Sequence, residues 1–247
     1  MKAGDGSVPA LSATSGQGVH DHLSSAWRIT LRKVWIIVNN IFRDFSVRTA
    51  AVLIGQVALT ISEDEFTLHS GRKSNYYVDM RKILAGPHSR LTLLAPLYEC
   101  IQENDMSESH IIGFIGPETT GYAIAISLSI LHFFGGITHQ DEYIKSFQAG
   151  YVRRSGRKEY GQEKFIEGMA EDGNGASIIL VDDVFTTGST LKTCIEICHY
   201  CNYKVVGAGV LLDRSTEYGE NCNEIMMDSH LIPCVSVLTL DDVLNAK

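Results

Sequence analysis

"IILVDDVFTTGST", residues Ile178 to Thr190, joins an apolar run to two adjacent aspartates and a hydroxyl-rich turn around one glycine. Ile178–Val181 reads as a strand buried on both faces, and the segment after the turn reads as the start of a helix. Strand, tight polar turn and helix make one unit of an α/β fold. Gly188 permits the bend and lets the backbone approach a ligand closely. A turn and a helix cap account for the glycine and for one polar residue. They leave unexplained the pair Asp182 and Asp183 together with Thr186, Thr187, Ser189 and Thr190.

Successive strand side chains point to opposite faces, so the two carboxylates do not converge on one small ion unless the chain turns there. The vicinal hydroxyls of a furanose suit them better, each donating to one acid. Beyond the acids, a helix N-terminus offers unpaired backbone N–H groups and the positive end of the helix dipole, both suited to a phosphate. Acids for a sugar and a loop for a phosphate describe a site for a ribose 5-phosphate. Neither GxxxxGK[ST] nor GxGxxG occurs, so an NTPase phosphate loop and a dinucleotide turn compete poorly.

The same grammar recurs outward from this stretch. "HIIGFIGPETTGYAIAISLSILHFF" (110–134) reads as a buried strand, a Gly-rich turn and an apolar helix. "YKVVGAGVLLDR" (203–214) and "PCVSVLTL" (233–240) read as strands, and "TLDDVLNA" as a short capped helix. Upstream, Thr49–Ile61 reads as a helix and "EFTLHSGRKSNYYVDMR" (65–81) as two strands joined by a tight loop. "PHSRLTLLAPLYECIQEN" (87–104) begins with a helix-starting proline, and Pro96 is expected to kink or divide that helix. Strands alternating with helices predict an α/β domain with a central parallel sheet and ligands gathered at the carboxyl ends of its strands.

The 247 residues suffice for a sizeable core, with 45% apolar and 20% charged residues. A net charge of −8 argues against a general nucleic-acid binder. No stretch approaches the roughly 18 apolar residues of a membrane span. Residues 1–25, rich in Gly, Ser and Ala, read as a disordered tail. Residues 26–45 are amphipathic, with Trp27, Leu31, Val34, Trp35, Val38 and Phe42 on one helical face. That extension fits an organelle-targeting segment, a helix packed on the body or unselected upstream sequence alike; otherwise the cytoplasm is expected. Cys194, Cys198 and Cys201 share one helical face, which suits an inward-facing apolar surface and, with His199, leaves a metal site conceivable.

The acids followed by Thr-Thr-Gly-Ser-Thr resemble the phosphoribosyl pyrophosphate (PRPP) signature of type I phosphoribosyltransferases. Three further stretches are similar to the orotate phosphoribosyltransferase family: "FTLHSGRKSNYYVDMR" (66–81) to its hood strands, "YVRRSGRKEYGQEKFIEG" (151–168) to its catalytic loop, and "LLDRSTEYG" (211–219) to the strand end whose arginine holds orotate. The resemblance spans residues 46–247, with a hood at 62–85 and the catalytic loop at 151–168. It implies a magnesium-dependent enzyme of pyrimidine synthesis that converts PRPP and orotate to orotidine 5'-monophosphate and pyrophosphate. A homodimer with shared active sites is implied, since Lys158 and Arg154 would reach into the neighbouring subunit's site. Asp182 and Asp183 would hold the ribose hydroxyls, directly or through the waters of a magnesium ion carried mainly by PRPP. Thr186, Thr187, Gly188, Ser189 and Thr190 would cradle the 5-phosphate, and Arg214, suited to a bidentate grip on a carboxylate, would hold orotate. Ser70, Arg72 and Lys73, with Tyr76 and Tyr77, would contact pyrophosphate and base from the hood, and Arg157 and Tyr160 would do so from the loop. "GPETTG" (116–121) would lie under the pyrophosphate.

Departures from the family pattern fall at His69, Thr120, Ser155 and Tyr160, where some members carry lysine, lysine, lysine and histidine. The connection 137–150 is longer than usual, and residues 1–45 lie outside the pattern. A phosphoribosyltransferase for another base, and a non-catalytic regulator that binds PRPP or a nucleotide, remain as alternatives.

Overall fold

The computed structural model describes residues 47–68, 71–104, 106, 111–136, 147–153, 164–227 and 230–246. Both upstream segments, 1–25 and 26–45, lie outside these residues, as does most of the long connection at 137–150. Residues 47–53 form helix α1, which runs on through a π-helical turn, Ile54–Ala58, into strand β1, Leu59–Thr67. The helix expected to reach Ile61 thus stops at Ala58. Leu59, Thr60 and Ile61 pair instead with Val78, Tyr77 and Tyr76 of strand β2, Lys73–Val78. Cross-strand pairing of β-branched and aromatic side chains outweighs a helix preference of tenths of a kcal/mol per residue. The hairpin closes where Leu68 N–H donates to Arg72 O (2.7 Å) and Gly71 N–H to Leu68 O (2.9 Å). It forms a small antiparallel sheet of its own.

After a short helix α2, Arg81–Leu84, the helix α3 runs unbroken from Pro87 to Glu103. Pro96 lies inside it without dividing it. A proline there forfeits one backbone bond, but Leu93, Leu94, Leu97 and Ile101 are fully buried with Pro96 on the same packed face, and that burial holds the helix together. The chain continues as β3 (Ile111–Pro117), α4 (Thr120–Gly136), β4 (Gln148–Val152), β5 (Ile166–Glu167), β6 (Ser177–Phe185), α5 (Ser189–Tyr200), β7 (Lys204–Asp213), a 3-10 turn (Ser215–Tyr218), β8 (Glu224–Met227), β9 (His230–Thr239) and α6 (Leu240–Asn245). Thr239 caps α6 reciprocally with Asp242, as "TLDDVLNA" predicts.

The main sheet has the order β5-β4-β3-β6-β7-β9-β8, with five parallel strands in the middle and an antiparallel strand at each edge. Helices cover both faces. Ile179 and Val181 of β6 pack with α1, α3 and α4, whereas Ile178 and Leu180 pack with Cys194, Ile195 and Cys198 of α5. The cysteine face of α5 is therefore part of the core. No helix among the described residues is long and apolar enough to cross a membrane. From β3 the chain crosses to β4 on one side, and later enters β6 on the other side of β3. The carboxyl ends of β3 and β6 thus diverge at a switch point, where an open α/β sheet leaves a crevice.

Candidate active site

A cleft of about 180 Å³ opens at that switch point, walled by the ends of β3 and β6, the loops that follow them, Arg214 and the hood. The β6 wall carries the two acids. Asp182 is buried and Asp183 half-buried, and both line the cleft. Asp182 Oδ1 accepts the Asp183 N–H and Asp183 Oδ1 accepts the Val184 N–H, each at 2.9 Å, so the backbone helps to fix both carboxylates. Burial raises the carboxyl of Asp183 above its ordinary value, opposed by hydrogen bonding to Asp182 and Val184 and by the charge of Arg81.

The turn after β6 behaves as the composition demands. Gly188 sits at φ 71°, the left-handed region, and caps α5 with no side-chain hydrogen bond to the helix. A Cβ at this position would lie 2.8 Å from the ring of Phe185, so glycine is required by both conformation and space. The first N–H groups of α5 are left without a side-chain cap beside Thr186, Ser189 and Thr190, which line the cleft. Thr187 and Gly188 shape the turn but are not among the lining residues.

The opposite wall is the loop Gly116–Gly121. Gly116 and Gly121 touch backbone to backbone, and a Cβ on either would collide with the other's chain. That contact presents Pro117, Glu118 and Thr120 to the cleft. Glu118 N–H donates to Val152 O (3.0 Å), and the Glu118–Thr119 peptide is cis.

Arg214, just past β7, is tied to the loop by its N–H, which donates to Phe185 O (2.8 Å). Arg214 is among the residues lining the cleft, yet it is only 2% exposed. Nε donates to Glu217 Oε2 (2.6 Å), and Nη2 donates to Ser74 Oγ (2.9 Å) and Tyr76 O (3.1 Å). Both hydrogens of Nη2 and that of Nε are thereby used. The bidentate grip expected of Arg214 is closed in this structure, and only Nη1 has no partner among the described residues.

Of the hood residues singled out from the sequence, Tyr77 lines the cleft and Tyr76 contributes its carbonyl to Arg214. Lys73 pairs with Glu65 on the exposed hairpin (3.6 Å), and the guanidinium of Arg72 lies 5.6 Å from the ring centre of Tyr218. Neither lines the cleft. Ser70, Arg154, Arg157, Lys158 and Tyr160, with His69 and Ser155, lie outside the described residues. Strands β4 and β5 are the antiparallel ends of the expected catalytic loop, pairing Tyr151 with Glu167 and Val152 with Ile166. Leu68 and Val78 line the cleft as an apolar wall that the sequence pattern does not single out, and Glu118 lines it from the expected GPETTG loop. Arg81, anchored by Asp79 at 2.7 Å, does not line the cleft, although its charge reaches Asp183.

A family model for the phosphoribosyl transferase domain matches residues 90–232, and the chain belongs to the phosphoribosyltransferase family. Within it, the chain is 33% identical to the orotate phosphoribosyltransferase of Aeropyrum pernix over 181 residues, covering 73% of this chain and 84% of that protein. The corresponding protein of Aquifex aeolicus is 27% identical over 195 residues, covering 78% of this chain and 95% of its own. The crystal structure of the Aeropyrum pernix protein is similar with a TM-score of 0.54 at 28% identity, over 79% of this chain and 96% of that one.

Proposed function

We propose that this chain is an orotate phosphoribosyltransferase, joining the phosphoribosyl group of PRPP to N1 of orotate and releasing pyrophosphate. The observation that carries the reading is the convergence of Asp182 and Asp183, the uncapped start of α5 and Arg214 in one cleft. The acids suit the ribose hydroxyls, the Thr186–Thr190 turn suits the 5-phosphate, and Arg214 suits the orotate carboxylate. The bond between the anomeric carbon and pyrophosphate breaks with its electron pair leaving on oxygen, while N1, its proton given up to water, attacks the opposite face. No enzyme nucleophile is needed, so the residues act by positioning and by balancing charge. Lys158 and Arg154 enter this proposal on the family resemblance, as clamps on the leaving pyrophosphate.

Among the described residues no cluster of three or more Asp, Glu, His or Cys side chains is placed to hold a metal. Two adjacent carboxylates facing a phosphate cleft still fit magnesium, which binds through one or two carboxylates plus substrate oxygens and keeps its waters. Asp182 and Asp183 would meet it, and when bound it supplies positive charge against pyrophosphate. A homodimer is supported by the exposed stripe Ile126, Ile130 and Phe133 on α4, at helical spacing on one face.

The test follows the loss of orotate absorbance on mixing with PRPP, with magnesium and with a chelator. Consumption that stops on chelation and resumes with magnesium is expected. Arg214→Ala is expected to raise KM for orotate far more than KM for PRPP. A folded protein that binds PRPP and turns over no base would instead be a regulator, and turnover of a different base would move the acceptor.

A further inference from the structure

Arg214 carries the base assignment, yet most of its hydrogen bonds are spent inside the protein. Its partner Glu217 lies three residues on, in the 3-10 turn Ser215–Tyr218, and Glu217 Oε1 in turn accepts from Ser74 Oγ (3.0 Å). Ser74 Oγ also accepts from Arg214 Nη2 and, at 3.0 Å, from Tyr76 N–H. Arginine, glutamate and serine thus close a ring of hydrogen bonds, and Ser74 is 7% exposed. Neither Glu217 nor Ser74 is among the residues lining the cleft, whereas Arg214 is. The glutamate therefore supports the guanidinium from behind and does not occupy the place of a substrate carboxylate.

We infer that Glu217, backed by Ser74, is a positioning residue for base recognition: it holds Arg214 so that Nη1 is the nitrogen presented to the carboxylate of orotate. The inference rests on Arg214 being the base-binding residue. An unsupported arginine has several rotamers and a strong preference for water, and would have to be ordered at each binding event. The ring removes that freedom in advance and balances the buried charge. It also ties base recognition to the hood, because Ser74 and Tyr76 belong to β2 while Arg214 and Glu217 follow β7. A shift of the hairpin would therefore be felt at Arg214 directly.

The experiment compares KM for orotate, KM for PRPP and kcat in the wild type, Glu217→Ala, Glu217→Gln and Ser74→Ala, with folding checked by circular dichroism. For Glu217→Ala, KM for orotate is expected to rise about tenfold or more, with KM for PRPP and kcat within about threefold. Glu217→Gln keeps an acceptor at the same reach and is expected to recover part of the loss. Ser74→Ala is expected to shift KM for orotate in the same direction by less, and it decides the matter if Glu217→Ala fails to fold. Unchanged KM for orotate in the folded variants, or equal rises in both KM values, overturns the positioning role while leaving the enzyme assignment standing. A wild type that neither binds nor consumes orotate overturns both.

Discussion

Burial raises the carboxyl of Asp183, so its proton is held more tightly in the folded chain than in the unfolded one. Its contribution to stability is therefore complete below the unfolded value, near 3.8, and is lost as pH rises through the higher folded value. At neutral pH, above the unfolded value, folding places this carboxyl in surroundings that disfavour its charged form. Asp183→Asn keeps an oxygen able to accept the Val184 N–H and has no charge to desolvate. We expect it to raise Tm at pH 7 by roughly 2–4 °C for each kcal/mol relieved, with the gain vanishing in acid. Turnover is expected to fall by about 100-fold or more, since the ribose loses a charged acceptor. Thermal melts at neutral and acid pH, paired with the orotate assay, check both halves. A variant that is active, or that is no more stable than the wild type at pH 7, contradicts the account. The Asp pair and its turn were legible from sequence because everything that shapes them lies within thirteen consecutive residues. The bonding of Arg214 was not legible, because Ser74 is 140 positions away.

Between α3 and α4, Tyr98 OH and His132 Nδ1 lie 3.0 Å apart, and the imidazole stacks on Phe147 at 4.0 Å between ring centres. Burial lowers the pKa of His132 and raises that of Tyr98 to about 12, so both groups sit neutral in the helix interface. His132 Nε2 is buried with no partner among the described residues. A histidine with a depressed folded value contributes stability above its unfolded value, about 6.5, and loses it as pH falls. His132→Leu is therefore expected to flatten the decline in stability between about pH 7 and pH 5, where one proton contributes at most about 1.4 kcal/mol per pH unit. Urea melts across that range read the slope directly, and an unchanged slope sinks the idea. Losing the Tyr98 partner should cost about 1 kcal/mol at every pH, which separates the two effects. Elements of this kind were read from sequence with uneven success. The strand–turn–helix units were found because apolar periodicity is local. The end of α1 was misjudged and the division of α3 at Pro96 does not occur, because pairing with β2 and burial of the leucine face decide them, and a linear pattern shows neither.

At the scale of the whole molecule, the parallel sheet and its switch point follow from alternating strands and helices, and the cleft follows from the switch point. The number of subunits does not follow from that pattern. The exposed α4 stripe and the proposed reach of Lys158 into a second subunit both call for a dimer, and the second claim is separable by mixing. Lys158→Ala and Asp183→Asn are each expected to be nearly inactive alone. If Lys158 acts across the interface, a mixed dimer has one site with Asp183 from one chain and Lys158 from the other, both intact. Its second site carries both lesions. Random reassociation makes about half the dimers mixed, so activity should recover to about a quarter of wild type. If Lys158 serves its own subunit, every site in every dimer keeps one lesion and nothing recovers. Ile130→Glu sets the control: a charge in the α4 stripe is expected to give a folded monomer by light scattering, with no recovery on mixing. A dimer untouched by Ile130→Glu would place the interface elsewhere on the molecule, and recovery without a dimer would overturn the shared site.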